Sequence, residues 1–86
     1  MNRPLIRAGD PTSHGGTVVE GSDNFIVDGK PVARAGDKVS CPLHGDNAID
    51  SGSDTYLTDA RPTARDGDTT ACGATLSATQ DHYFIR

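Results

Sequence analysis

The sequence predicts an all-β fold: one small domain of short β-hairpins with approximate threefold symmetry. Two observations support the all-β class. Turn-forming residues interrupt the chain every few positions, and no apolar set keeps the 3.6-residue spacing of a helix for more than about a turn. The symmetry follows from a third observation, a phrase of seven residues that occurs three times. Three copies of one unit predict an object that can fit a trimeric partner.

The repeated phrase is Pro-x-x-Arg, one further residue, and then Gly-Asp. Its copies occupy residues 4–10, 31–37 and 62–68. The Gly-Asp step is typical of a turn. We expect each arginine of the phrase to pair locally with an aspartate, although exposed pairs of this kind are individually weak.

Short runs with high β-propensity lie between turn signals, which predicts several β-hairpins and little or no helix. Turn signals stand at residues 21–23, 28–29, 52–54 and 59–60. The Asp28-Gly29 pair suits a two-residue hairpin, because such a turn needs positive φ at both central residues. The β-rich runs are residues 17–19, 24–27, 31–33, 55–58, 74–76 and 82–85.

A second segment is repeated at residues 21–28, 52–59 and 79–85. The second copy begins 31 residues after the first, and the third begins 27 residues after the second. Period-2 alternation in these strands predicts an inward apolar layer formed by Ile26, Leu57 and Phe84. The residues two positions earlier share that face, so we expect His82 to point toward the common axis.

The histidines and cysteines lie near corresponding points of the repeats. His14, His44 and Cys72 are each followed by glycine, seven or eight residues before a Gly-Ser turn or its equivalent. The glycine permits a sharp turn where three loops crowd together. With His82 as a fourth ligand, these residues predict a closed tetrahedral site for one structural zinc ion.

Cys41 offers an alternative to His44. His14, Cys41 and Cys72 each lie four residues after the aspartate of a Gly-Asp step, so a forward count makes these three equivalent. The two counts disagree because the middle repeat is about four residues longer than the others. We prefer His44, which keeps the His-Gly pattern, and expect Cys41 to be a partly buried spare thiol. Iron remains an alternative to zinc, since both metals accept histidine and cysteine.

Composition argues against several functional classes. The formal net charge is −4 and the eight basic residues are scattered, so no cationic stripe for nucleic acid is expected. No apolar run approaches the roughly 20 residues of a membrane span. The N-terminus has no apolar h-region, so we expect a cytoplasmic protein without a signal peptide. A reducing cytoplasm also disfavours a Cys41–Cys72 disulfide.

The pattern does not favour an enzyme or a calcium module. There is no G-x-S-x-G elbow, and the only glutamate available as a base for a catalytic zinc is Glu20. Neither the EF-hand spacing nor the nonapeptide calcium repeat occurs. We therefore expect no catalytic residues, and one zinc without calcium.

Three segments next to the repeated phrases resemble a known family, the PAAR-repeat proteins. They are Asp-Pro-Thr-Ser-His-Gly-Gly at 10–16, Val-Ser-Cys-Pro-Leu-His-Gly at 39–45 and Thr-Ala-Cys-Gly at 70–73. The resemblance covers essentially the whole chain, so residues 1–86 are expected to form one PAAR-repeat domain. The literal motif Pro-Ala-Ala-Arg is relaxed in all three copies.

The resemblance implies a conical tip on the spike of a type VI secretion system. One chain would cap each trimeric VgrG spike, with possible attachment of secreted effectors and a transient contact with the target membrane. A zinc near the apex would be held by three histidines and one cysteine, which on this chain gives His14, His44, Cys72 and His82. The protein would stay in the cytoplasm until the machine delivers it. Candidates for the spike-binding base or the core are Leu5, Ile6, Val18, Val19, Val32 and Ile49.

Overall fold

The computed structural model describes residues 2–86, which form short β-strands joined by turns and contain no helix. The predicted all-β class is confirmed. Within those residues, nothing helical is long and apolar enough to cross a membrane. The strands are β1 (Arg3–Pro4), β2 (Thr17–Val18), β3 (Ile26–Val27), β4 (Lys30–Pro31), β5 (Lys38–Ser40), β6 (Asn47–Ala48), β7 (Leu57–Thr58), β8 (Arg61–Pro62) and β9 (Phe84–Ile85).

Three antiparallel pairs occupy equivalent places in the repeats. Strands β3 and β4 pair through the Asp28-Gly29 turn, and β7 and β8 pair through Asp59-Ala60. The third pair joins β1 to β9, so it is made from the two ends of the chain. Strands β2, β5 and β6 form the remaining sheet, in the order β2-β5-β6.

A closed ring of three backbone hydrogen bonds connects the repeats. The amide of Ala33 donates to Ile6 O at 2.8 Å, that of Ala64 donates to Ala33 O at 3.0 Å, and that of Ile6 donates to Ala64 O at 3.0 Å. A second set connects the repeats in the opposite sense, from the amides of Ala8, Ala35 and Asp66 to the carbonyls of Pro31, Pro62 and Pro4. This cyclic pattern is consistent with approximate threefold symmetry.

Two apolar clusters form the core. The first holds the ring residues with the buried side chains that follow each Gly-Asp turn, namely Ile6, Val18, Ala33, Val39, Ile49, Ala64 and Leu76. The second lies within the three strand pairs and contains Leu5, Val27, Val32 and Ile85, against which Phe25, Tyr56 and Tyr83 pack. In the β7–β8 pair, Thr58 and Thr63 stand where the other pairs have aliphatic residues. Their hydroxyl groups form a hydrogen bond with each other, at 2.6 Å between the two oxygens.

The predicted inward layer of Ile26, Leu57 and Phe84 is wrong. These side chains are 50%, 57% and 45% exposed. The period-2 alternation holds, but the residues on either side of each one face the core. Of the candidates for base or core, all are buried except Val19, which is 48% exposed.

The aspartate of each repeated phrase closes its own turn. Asp10, Asp37 and Asp68 are buried, and each accepts the amide of the arginine three residues earlier at 2.7–2.8 Å. The expected local ion pair forms twice, from Arg34 to Asp37 and from Arg65 to Asp68. Hydrogen bonds to these carboxylates raise the pKa of both arginines.

We expect the two hairpin turns to respond in opposite ways to exchange of one residue. Gly29 (φ 80°) and Ala60 (φ 64°) hold equivalent left-handed positions, where a Cβ costs about 1 kcal/mol. A Cβ on Gly29 would meet nothing within 4 Å, so only this backbone cost should appear. Gly29→Ala should lower the free energy of unfolding in urea by about 1 kcal/mol. Ala60→Gly should raise it by less, because glycine also frees the unfolded chain. Shifts of the same sign would contradict this reading.

Candidate metal centre

Three loops converge at one site, and each begins shortly after a Gly-Asp turn. In the first loop the Thr12 hydroxyl accepts the amides of His14 and Gly16, at 3.3 and 3.2 Å. In the third loop Thr70 holds the same place, and its hydroxyl accepts the amide of Ala74 at 3.2 Å. The first and third loops are therefore structurally equivalent.

The middle loop is longer and is built differently. The amide of Gly45 donates to Cys41 O at 2.7 Å, which folds residues 41–45 into a single turn. Because Cys41 and His44 lie three residues apart in this turn, both side chains can face the other two loops. The glycines that follow the candidate ligands, Gly15, Gly45 and Gly73, all have φ between 78° and 88°, as expected for sharp turns.

Four side chains from the three loops form one compact cluster, which we call the His₂Cys₂ cluster: His14, Cys41, His44 and Cys72. Their nitrogen and sulfur atoms all lie within 4.8 Å of one another. Cys41 Sγ lies 3.7 Å from His14 Nδ1 and 3.5 Å from His44 Nδ1. Cys72 Sγ lies 3.7 Å from the same His14 nitrogen.

These separations fit a tetrahedral metal ion. Zinc bonds of about 2.3 Å to sulfur and about 2.0 Å to nitrogen place neighbouring tetrahedral ligand atoms roughly 3.3–3.8 Å apart. The three measured contacts of 3.5–3.7 Å fall in that interval. The donor set, two imidazoles and two thiols, is also one that structural zinc sites use.

The surroundings of Cys72 favour its thiolate. The Thr70 hydroxyl, 3.2 Å from the sulfur, has the largest effect, and the Ala74 amide, His14 and Cys41 act in the same direction. Together they lower the pKa of Cys72 to about 6. A thiol that is ionised at neutral pH is ready to bind a metal without first losing a proton.

Residues outside the cluster hold the loops together, and two of them were missed by the sequence analysis. The Asn47 side chain accepts the amide of Cys72 at 3.3 Å and donates to Gly45 O at 3.1 Å, so it ties the middle loop to the third. Gly16 brings the first loop against β5, because a Cβ there would lie 1.8 Å from Ser40 O. Neither residue is among the predicted ligands, so the sequence analysis assigned neither a structural role, although Gly16 ends the segment 10–16 quoted above.

The structure brings together three of the four predicted ligands and corrects the fourth. His14, His44 and Cys72 belong to the cluster, whereas His82 does not. His82 is 57% exposed, and its Nε2 lies 2.6 Å from Asp28 Oδ2. Cys41, expected to lie apart from the ligands, is instead the fourth member of the cluster and is 4% exposed.

The repeat alignment explains why His82 lies elsewhere. His82 is equivalent to Asn24. The side-chain amide of Asn24 donates a hydrogen bond of 2.9 Å to Asp59, in the turn of the next strand pair. His82 makes the matching contact with Asp28 in the turn of another pair. The two residues thus share a role in joining strand pairs. The hydrogen bonds of Ser22 and Asn24, with a smaller effect of Arg34, also lower the pKa of Asp59.

Comparison with known proteins gives one family. A family model described as "PAAR motif" matches residues 8–78 of the 86-residue chain. The matched span contains all four residues of the His₂Cys₂ cluster. No curated protein matches the chain.

We expect Cys41 and His82 to respond differently to substitution. Loss of a residue that only supports a metal ligand typically weakens metal binding by about tenfold. Cys41→Ser should weaken zinc binding by more than that, because it removes a ligand atom. His82→Ala should leave zinc affinity unchanged. Competition against a chromophoric chelator and elemental analysis measure both effects. Equal loss of zinc in the two variants, or loss only with His82→Ala, would contradict this assignment.

Proposed function

The chain belongs to the PAAR-motif family, and on that premise we propose that it caps and sharpens the trimeric VgrG spike of a type VI secretion system. Proteins of this family are structural components associated with the tip of that spike. The observation that carries the proposal is the cyclic backbone pattern of the three repeats, through which one chain offers similar contacts in three directions.

A single chain with this symmetry can sit on the axis of a trimer. The ring through Ile6, Ala33 and Ala64 relates the repeats in cyclic order, and each repeat contributes one antiparallel strand pair. Each strand pair can then meet one chain of the spike in a similar way. This arrangement gives one tip protein for each VgrG trimer.

The exposed apolar residues of the strand pairs suit such a contact. Ile26, Leu57 and Phe84 hold equivalent positions in the three pairs, and each leaves about half of its surface in water. Apolar side chains exposed at equivalent points are typical of a protein interface, since their burial against a partner is favourable. We propose that each one contacts a different VgrG chain.

We further propose that the His₂Cys₂ cluster holds one structural zinc ion. Four protein ligands fill a tetrahedral shell and leave no position for water or substrate, which distinguishes structural from catalytic zinc. Glu20, the sole glutamate, accepts the Lys38 amide at 2.8 Å and is not part of the cluster. These features support a structural protein and not an enzyme.

The ion has a clear mechanical role in this proposal. The three loops carry short polar segments, and the apolar cluster draws Val18, Val39, Ile49 and Leu76 from the segments next to them in the chain. A zinc bound by all three loops would join them where side-chain packing cannot. In small zinc peptides this binding contributes on the order of 10 kcal/mol to folding. A rigid tip of this kind suits passage through a membrane after delivery from the cytoplasm.

Binding to the spike tests the proposal. We expect native mass spectrometry of the chain mixed with its VgrG trimer to give a complex of one chain per trimer. Leu57→Asp should weaken binding by at least about tenfold, because a charge would replace a buried apolar contact. Leu43→Asp is the matched control, since Leu43 is also exposed but lies in the middle loop, outside the three strand pairs. Equal weakening by both variants would contradict the proposed surface. Absence of any complex would instead favour a small metal-binding module without a role in puncture.

Removal of the ion tests the structural role of the cluster. We expect a strong chelator to lower the melting temperature by more than about 10 °C, because a loss of only a few kcal/mol shifts a domain of this size by that amount. Differential scanning calorimetry before and after dialysis measures the shift, and added zinc should reverse it. An unchanged melting temperature would argue against a structural ion.

A further inference from the structure

The two cysteines of the chain lie side by side in the His₂Cys₂ cluster. Both are free thiols, and they are the only cysteines in the sequence. Each sulfur lies 3.7 Å from the same nitrogen of His14, and all four donor atoms lie within 4.8 Å of one another. We propose that Cys41 and Cys72 form a reversible redox site, in which the two thiols join in a disulfide when the metal leaves.

The positions of the loops favour a bond within the chain. A disulfide requires the sulfur atoms to approach to about 2 Å, from a separation of at most 4.8 Å. Asn47 keeps the loops together during this approach, since it bonds both the Cys72 amide and Gly45 O. The reacting groups are thus held together, which favours an intramolecular reaction over coupling between chains.

The exposure of the two sulfurs sets the order of events. Cys41 is buried, whereas Cys72 is partly exposed, so a hydroperoxide in solution reaches Cys72 first. The Cys72 sulfur attacks one peroxide oxygen, the O–O bond breaks, and the leaving oxygen departs as water with the thiol proton. The product is a sulfenic acid at Cys72, which is oxidised by two electrons while the peroxide is reduced.

The buried thiol then completes the reaction. Cys41 Sγ attacks Cys72 Sγ, the S–S bond forms, and the S–O bond of the sulfenic acid breaks. The hydroxide leaves as water with the proton of the Cys41 thiol. Overall, two thiols and one hydrogen peroxide give one disulfide and two waters. Cys41 is therefore the resolving cysteine.

The metal and the disulfide exclude each other. Zinc needs both sulfurs as thiolates, and a disulfide consumes both thiolates and so removes two of the four ligands. The three-histidine, one-cysteine set implied by family resemblance has no second sulfur, so this chemistry depends on Cys41. In oxidising surroundings outside the cytoplasm, the disulfide would join residues 41–45 to residues 70–73 covalently in place of the ion.

The experiment treats the zinc-loaded full chain with hydrogen peroxide at micromolar protein concentration. Released zinc is measured with a chromophoric chelator, thiols by alkylation, and the chain by intact mass. We expect one zinc released for every two thiols lost and a mass decrease of about 2 Da. A dithiol reductant should restore both thiols and zinc binding.

Three variants sharpen the result. Cys72→Ser and Cys41→Ser should both lose the decrease in mass, and Cys41→Ser should accumulate a sulfenic acid or higher oxides because the resolving thiol is gone. His82→Ala, outside the cluster, should behave as the unaltered chain does. Overoxidation of both cysteines in the unaltered chain, covalent dimers, or zinc release without thiol loss would overturn the proposal.

A metal-free sample separates this inference from the proposed function. If the chain binds no zinc, or does not bind the spike, the mass decrease still reports on the thiol pair. Disulfide formation in the native metal-free chain should be at least about tenfold faster than in guanidinium, where the loops are no longer held together. Equal rates would show that the fold does not pair the thiols.

Discussion

The ring of backbone hydrogen bonds through Ile6, Ala33 and Ala64 is the constraint from which the other features follow. It makes the chain pass the same central region three times in the same sense. The segment after each pass then turns through a Gly-Asp step and leads into one of the three convergent loops. The segment before each pass belongs to a strand pair. A short repeated phrase thus positions both the loops and the strand pairs.

Departures from symmetry carry the specific chemistry. In the middle loop, about four extra residues place Cys41 and His44 on one turn, so one repeat supplies two ligand atoms. Near the third strand pair, the Thr79 hydroxyl donates to Asp10 at 2.5 Å and accepts from Arg7 at 3.1 Å. The Arg7 side chain therefore bonds Thr79, whereas Arg34 and Arg65 pair with the aspartates of their own repeated phrases. The backbone keeps the cyclic pattern while the side chains differ.

The two parts of the molecule solve the problem of a small core differently. Aliphatic and aromatic side chains fill the space within the strand pairs, with Phe25 packed edge-on against Tyr83 at 5.5 Å between ring centroids. The loops gather four nitrogen and sulfur donors instead. Small domains bury a limited apolar area, so an ion is an effective substitute where the chain has few apolar residues. The proposed zinc and the proposed disulfide are two ways to close the same loops.

The sequence alone determined the all-β class, the three repeats, the Asp28-Gly29 hairpin and the nearness of His14, His44 and Cys72, because each follows from local turn chemistry or from spacing along the chain. Tertiary structure decided which faces of the strands are buried and which residue completes the cluster. Repeat alignment correctly equated His82 with Asn24, yet the direction of both side chains depends on aspartates in other strand pairs. Cys41 and His44 seemed to be alternatives only because two ways of counting disagreed over the longer loop. The single turn at residues 41–45 places both Cys41 and His44 in the cluster. That turn depends on contacts with loops distant in sequence.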